Sequence, residues 1–213
     1  MFQYIVERPN YILYKTWQHF YLFLISWAIA AVVGIAIGIF VTRPGRKKAG
    51  NAILSITGAA QSVPSIAVIS LVFLLLGIGD TPAIVALFVY SLVPIVFNCA
   101  SGLLSVEPAM LEAARGMGMT PGQILFRVEL PVAIAPISSG LRSAATINIG
   151  TATIASAIGA GGLGEIIFVG LRTANNSMIL TGALFSALMA IIVDTVFGFI
   201  ESGMTSEGIR VTD

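Results

Sequence analysis

Charge is what this sequence has least of. Asp, Glu, Lys and Arg make up 10% of its 213 residues, against about 25% in an ordinary soluble domain. Hydrophobic residues reach 57%, before the glycines are counted, and the mean hydropathy is +0.96. A soluble domain of this size could not bury that much apolar surface. Intrinsic disorder is excluded on the same ground, and a net charge of +1 excludes a nucleic-acid binder built on a large basic patch. Cys99 is the sole cysteine, so no intramolecular disulfide can form and the redox compartment is unreadable. His19 is the sole histidine, so a bis-histidine haem, a His-rich metal site and a Cys-rich cluster all lack ligands. No G-x-x-x-x-G-K-[ST] run occurs, so the chain has no P-loop with which to hydrolyse ATP. The stretch from Phe2 to Thr16 is too polar for a signal-peptide core and is interrupted by Glu7, so the first membrane segment inserts by itself. What remains is an integral membrane protein.

A spanning helix needs about 20 mostly apolar residues. Five candidates follow, at 20–41, 53–76, 81–104, 132–158 and 177–200, in a single membrane domain over residues 1–213. An odd number of spans puts the termini on opposite sides, and Lys and Arg set the orientation. Arg43, Arg46, Lys47 and Lys48 follow the first span, Arg115 and Arg127 lie in the third loop, and Arg210 is in the tail. The other side carries Arg8, Lys15 and Arg172. The bias predicts the N-terminus outside and the C-terminus in the cytoplasm. Trp17, Tyr21 and Trp27 suit an outer aromatic belt.

The connection 105–131 is long and patterned. Pro108 suits a helix start, and Glu107 and Glu112 favour the positive end of such a helix. Ala113 and Ala114 form helix with little side chain, so another protein surface could come close. Gly116 and Gly118 can end it in a left-handed turn, and Thr120 can cap a second helix leading to Leu130 and Pro131. On these residues alone, a docking element and an ordinary solvated loop are both open.

The stretch is Glu112-Ala113-Ala114, three residues, Gly118, nine residues, Val128, one residue, Leu130-Pro131. It resembles the EAA signature of ABC-importer permeases, with Val128 where isoleucine is usual. Gln61-Ser62-Val63-Pro64-Ser65, Ala114-Arg115-Gly116-Met117-Gly118-Met119 and Ile147-Asn148-Ile149-Gly150-Thr151-Ala152-Thr153 narrow the likeness to permeases of osmoprotectant importers, which carry glycine betaine, carnitine, choline or proline betaine. Permeases for methionine and other solutes share the loop. The resemblance implies an all-α integral membrane protein with the type I importer permease fold of the methionine-importer kind, in the bacterial inner membrane. It implies that Glu112, Ala113, Ala114, Gly116 and Gly118 form a coupling helix against an ATPase, and that Leu130 and Pro131 lead the chain back into the bilayer. It also implies two cytoplasmic ATPase subunits that use ATP and Mg, a second permease, identical or homologous, and an extracytoplasmic substrate-binding protein. The chain itself would bind no cofactor.

Other groups have more than one reading. Pro64 and Pro94 free the carbonyls of Ala60 and Tyr90. Gln61, Ser62 and Ser65 surround the first of these kinks, and Ser91 and Asn98 the second; they suit a solute path or purely local hydrogen bonding. Ser139, Ser143, Thr146, Gly150 and Thr153 share one helix face that suits packing. Asn148 and Thr151 lie on another and suit a path or packing. Gly34 and Gly38 suit helix packing. Arg142 and Asp194, ionisable within spans, form a buried ion pair or a proton relay. Gly159, Gly161 and Gly164 match G-x-G-x-x-G, but after a membrane span rather than a strand, so a tight turn is expected and not a dinucleotide site. The rival functions are an ABC permease for another small solute, such as an amino acid, and an ion-coupled secondary transporter. The latter would use Arg142 and Asp194 but leave the patterned loop without a role.

Overall fold

The computed structural model describes residues 2–43 and 45–204; Pro44 in the basic loop and Arg210 in the tail lie outside them. The described chain is helical. A short α1 (Phe2–Glu7) leads into α2 (Pro9–Thr42), then α3 (Lys47–Ala60), α4 (Ser65–Leu76), α5 (Asp80–Leu104), α6 (Pro108–Gly116) and α7 (Pro121–Ile124). A π turn (Leu125–Glu129) runs into α8 (Leu130–Ala155), which ends in a 3-10 turn (Ser156–Ile158); α9 (Leu163–Arg172) and α10 (Asn176–Met204) complete the fold. Four helical stretches, Pro9–Thr42, Asp80–Leu104, Pro121–Ile158 and Asn176–Gly203, are long and apolar enough to cross a membrane, and α3 with α4 make a fifth as a broken pair.

α5 is the centre of the bundle because small residues let its neighbours approach it. A Cβ at Gly34 of α2 would sit 2.7 Å from Ile95 Cγ2, and one at Gly38 2.6 Å from Cys99 Sγ. On the opposite side, a Cβ at Gly102 of α5 would sit 2.6 Å from Pro136 Cγ, and one at Gly140 of α8 2.6 Å from Asn98 Cβ, so neither position has room for a side chain. Lipid tails are as apolar as leucine, so in a bilayer it is this close van der Waals contact that holds helices together. The core is correspondingly rich in alanine: Ala83, Ala86, Ala152, Ala155 and Ala160 are fully buried beside Leu22, Ile69 and Leu87. Large side chains point outward instead, among them Leu74, Leu75, Ile191 and Phe199.

Two expectations need correction. The 53–76 stretch is not one continuous kinked helix but two helices meeting at 98°. Pro64 does not kink a continuous helix; it caps α4, with φ −59° and ψ 132°. The Ala60 carbonyl is not freed either, because it accepts the Val63 N–H at 3.1 Å across the break. The glycine-rich connection after α8 is also more than a loop. Gly159, Gly161 and Gly162 do turn the chain with φ of +85°, +70° and +74°. They then start α9, which packs back on α10, with Gly170 allowing the close approach of Met178 and Ile179.

Candidate functional site

The connection between α5 and α8 is built from local signals. Glu107 is extended, and Pro108 enters the first turn of α6, where its missing N–H costs nothing. The helix ends in a Schellman arrangement. Gly118 lies at φ +76°, its N–H donates to Arg115 O at 2.9 Å, and the Met119 N–H donates to Ala114 O at 3.1 Å. Thr120 then opens α7 with a capping box: Gln123 N–H donates to Thr120 Oγ1 at 3.3 Å, and Thr120 N–H to Gln123 Oε1 at 2.8 Å. The result is a helix, a fixed turn and a second helix that continues through the π turn into α8.

This unit presents Glu112, Ala113, Arg115 and Gly116 to the exterior, with Met117 and Phe126 about 70% exposed beside them. Three details differ from expectation. Gly116 is the last helical residue, and only Gly118 is left-handed. Glu112 sits past the first turn of α6, too far along to serve its positive end. Ala114 is 1% exposed, turned into the chain's own packing, so of the two alanines only Ala113 faces outward. Leu130 packs with Cys99, Leu103 and Ala133, and Pro131 lies exposed at the start of α8.

The residues considered for a solute path fall into two groups. Gln61, Ser62 and Pro64 are exposed at the α3–α4 break. A cleft of about 70 Å³ there is lined by Ala60, Gln61, Tyr90, Val93, Pro94 and Ile147. Tyr90, which also lines this cleft, enters the sequence reading only through its carbonyl, not its side chain. Asn98, Asn148 and Thr151 lie elsewhere. Asn98 donates to Pro94 O at 2.8 Å and packs on Gly140. Asn148 and Thr151 are 1% and 4% exposed, and the Asn148 amide donates to Ser26 Oγ at 2.9 Å and to Ser91 Oγ at 2.6 Å. Asn148 thus ties α2, α5 and α8 together inside the subunit.

Arg142 donates from Nε and Nη2 to the two Asp194 oxygens, both at 2.7 Å, and from Nη1 to Glu201 Oε2 at 3.3 Å. Asp194, Gly198 and Glu201 share one face of α10, and the bare Gly198 leaves room for the guanidinium. The pair is less buried than expected: its side chains are 38% and 39% exposed in the isolated chain.

Two further ion pairs were missed because their partners are remote in sequence. Lys15 Nζ lies 2.7 Å from Glu165 Oε2, with Tyr11 donating to the same carboxylate at 3.1 Å. Gln18 accepts from Lys15 and from the Gly162 N–H, so α2 holds the glycine turn directly. At the other end of the bundle, Arg43 Nη1 meets Glu129 Oε2 at 2.7 Å.

A broken helix pair packed on a helical core, with a capped, outward-facing helix–turn–helix at one end, is the architecture of an importer's membrane permease. Residues 34–206 match the family of binding-protein-dependent transport system inner membrane components, and the chain belongs to that family. It is 38% identical over 95% of its length to the glycine betaine/carnitine/choline transport system permease protein OpuCD of Bacillus subtilis, covering 88% of that protein. It is 43% identical over 88% of its length to the osmoprotectant import permease protein OsmY of Salmonella typhimurium, covering 80% of it. Among solved structures, the inward-facing methionine ABC transporter MetNI matches with a TM-score of 0.78 at 26% identity, covering 93% of this chain and 99% of that one.

Proposed function

We propose that this chain is the membrane subunit of an ATP-driven importer of osmoprotectant quaternary amines such as glycine betaine, carnitine and choline. The observation that carries the reading is the α6–Gly118–α7 unit. Its caps and turn set its shape, and Glu112, Ala113, Arg115 and Gly116 are exposed on its outer face. Two cytoplasmic ATPase subunits, using ATP and Mg, would dock there. The chain itself needs no cofactor. A second permease, identical or homologous, would complete the path, and the exposed residues of the α3–α4 break, with Tyr90, would line it. An extracytoplasmic binding protein would deliver the solute, and solute would pass by alternating access. The complete transporter in liposomes should accumulate radiolabelled glycine betaine when ATP is supplied, and should continue with an uncoupler present at constant ATP. Uptake that stops with the uncoupler would retire the ATP-driven reading in favour of ion coupling. ATP-driven uptake of an amino acid, with glycine betaine, carnitine and choline all refused, would retire the solute class alone.

This reading places α6 in the cytoplasm and the start of α10 outside. With Cys99 replaced by alanine, a cysteine at Asn176 should react with an impermeant thiol reagent added outside, and one at Lys48 should react only after the membrane is opened. Both positions are exposed. The reverse pattern would invert the topology.

A further inference from the structure

Arg43 is where α2 stops: its ψ of 153° is extended, and its Nε–H donates to Ile39 O at 3.0 Å. That bond satisfies one of the carbonyls a helix leaves open at its end. It also holds the guanidinium in place, so that Nη1 donates to Glu129 Oε2 at 2.7 Å across 86 residues of sequence. Glu129 is the last residue of the π turn, with its side chain 11% exposed; that of Arg43 is 24% exposed. Beside the pair, Ile35 and Ile39 of α2 share a cluster with Leu125, the first residue of the π turn, with Leu130 just after it, and with Cys99 and Leu103 of α5.

The pair sits at a mechanical junction. Besides its short chain link back to α5 through residues 105–107, α6 packs on α7 and the π turn. Along this second route a displacement of α6 meets the π turn first. From there the backbone carries it into α8. The Arg43–Glu129 contact carries it into α2. Stability alone is a poor reason for so enclosed a pair, because well-packed apolar residues of similar volume usually do as well or better. Single π turns inside helices are frequent at functional sites, where they re-aim side chains. Here the turn aims Glu129 at the end of α2.

We propose that Arg43 and Glu129 are positioning residues that couple the loop to α2, so that α2 and α8 move as one body when the loop is displaced. Neither touches solute or nucleotide. The inference rests on the reading of α6 as the ATPase docking site.

The experiment uses the complete transporter in liposomes, reading ATP hydrolysed and radiolabelled glycine betaine accumulated in the same sample. Arg43→Ala and Glu129→Gln should assemble and hydrolyse ATP, but uptake per ATP should fall about fivefold or more, the low end of the range for coupled sites. Arg43→Lys should keep most of the ratio, and the exchange Arg43→Glu with Glu129→Arg should regain it. Glu129→Gln is nearly isosteric and carries the test if Arg43→Ala fails to assemble. An unchanged ratio in an assembled Glu129→Gln transporter overturns the proposal. So does an exchange variant that assembles without regaining the ratio. Glu112→Lys serves as the reference. If it too leaves ATP-driven uptake intact, the docking reading has failed; if it abolishes uptake while the ratio in Glu129→Gln is unchanged, only the strut has failed.

Discussion

Reversing one charge on α6, Glu112→Lys, should leave the chain folded and inserted but reduce ATP-driven uptake by roughly a hundredfold. Glu112 is exposed on a helix whose caps do not involve it, so nothing in the subunit depends on its sign. A charge placed wrongly at a protein contact costs several kcal/mol, and each 1.4 kcal/mol is about tenfold in affinity. Gly118→Val should act by a different route. A Cβ there meets nothing within 4 Å, so space is not the obstacle. The obstacle is φ of +76°, where an L-residue loses roughly 1–2 kcal/mol and a β-branched one more. The Schellman bonds would be disturbed and α6 would be presented at the wrong angle. Gly116→Ala separates the two effects, because Gly116 has an ordinary helical backbone and an open surrounding. If only the turn matters, Gly116→Ala should transport normally; if an ATPase surface lies against the helix there, uptake should fall. Ala113→Leu and Ala114→Leu divide in the same way, since Ala113 faces out and Ala114 is packed inside. The measurement is uptake together with co-purification of the ATPase. Normal values for both Glu112→Lys and Gly118→Val would show that the docking site lies elsewhere.

Much of this loop was legible because its signals are local. Pro108, Gly118 and the Thr120 cap each act over three or four residues, and the structure uses each of them where it stands, adding Gln123 to the cap. The direction each α6 residue faces was not legible, because it depends on where α7 and the π turn fold back, and Ala113 and Ala114 are chemically identical. The apolar stretch at 53–76 hid its break for a related reason. Both halves are apolar, and hydropathy does not register a 98° change of direction. Pro64 marked the place, but its effect depends on the backbone before it, where Val63 and Ser62 fold into turns. α9 was read as part of a connection because glycine turns precede it and, at ten residues, it is too short to register as a span. Some of the polar contacts that hold the bundle join residues more than a hundred positions apart, as in Lys15 with Glu165 or Asn148 with Ser26. Arg142 and Asp194 could be matched from the sequence because both are ionisable within spans, whereas these residues stand there as isolated polar positions and only the fold gives them partners.

The second large effect is expected at Arg142. Arg142→Leu alone should sharply lower the amount of folded protein in the membrane. Its loss leaves Asp194 with one long contact, from Thr146 Oγ1 at 3.5 Å, and an ionisable side chain within a span must pair or reach water. Asp194→Leu should be milder, because Arg142 still has Glu201 at 3.3 Å. This asymmetry comes from the third member of the group and would be absent from a simple pair. The double variant, Arg142→Leu with Asp194→Leu, removes both members of the bidentate pair, leaving Glu201 near the end of α10, and should recover expression and at least part of the uptake, as apolar replacements of ion pairs often do. A relay predicts otherwise: each single variant should be well folded but inactive, and the double should be stable and inactive as well. Quantifying membrane-inserted protein and uptake for the three variants distinguishes the outcomes. Equal damage from both singles and the double, with no recovery, would show that the bidentate contact does not set the stability of this face. Recovery of protein without any recovery of uptake would mean that the charges are needed while the transporter cycles. The 38% and 39% exposure of the two side chains allows the contact to open during such a cycle without pulling either group out of a packed core.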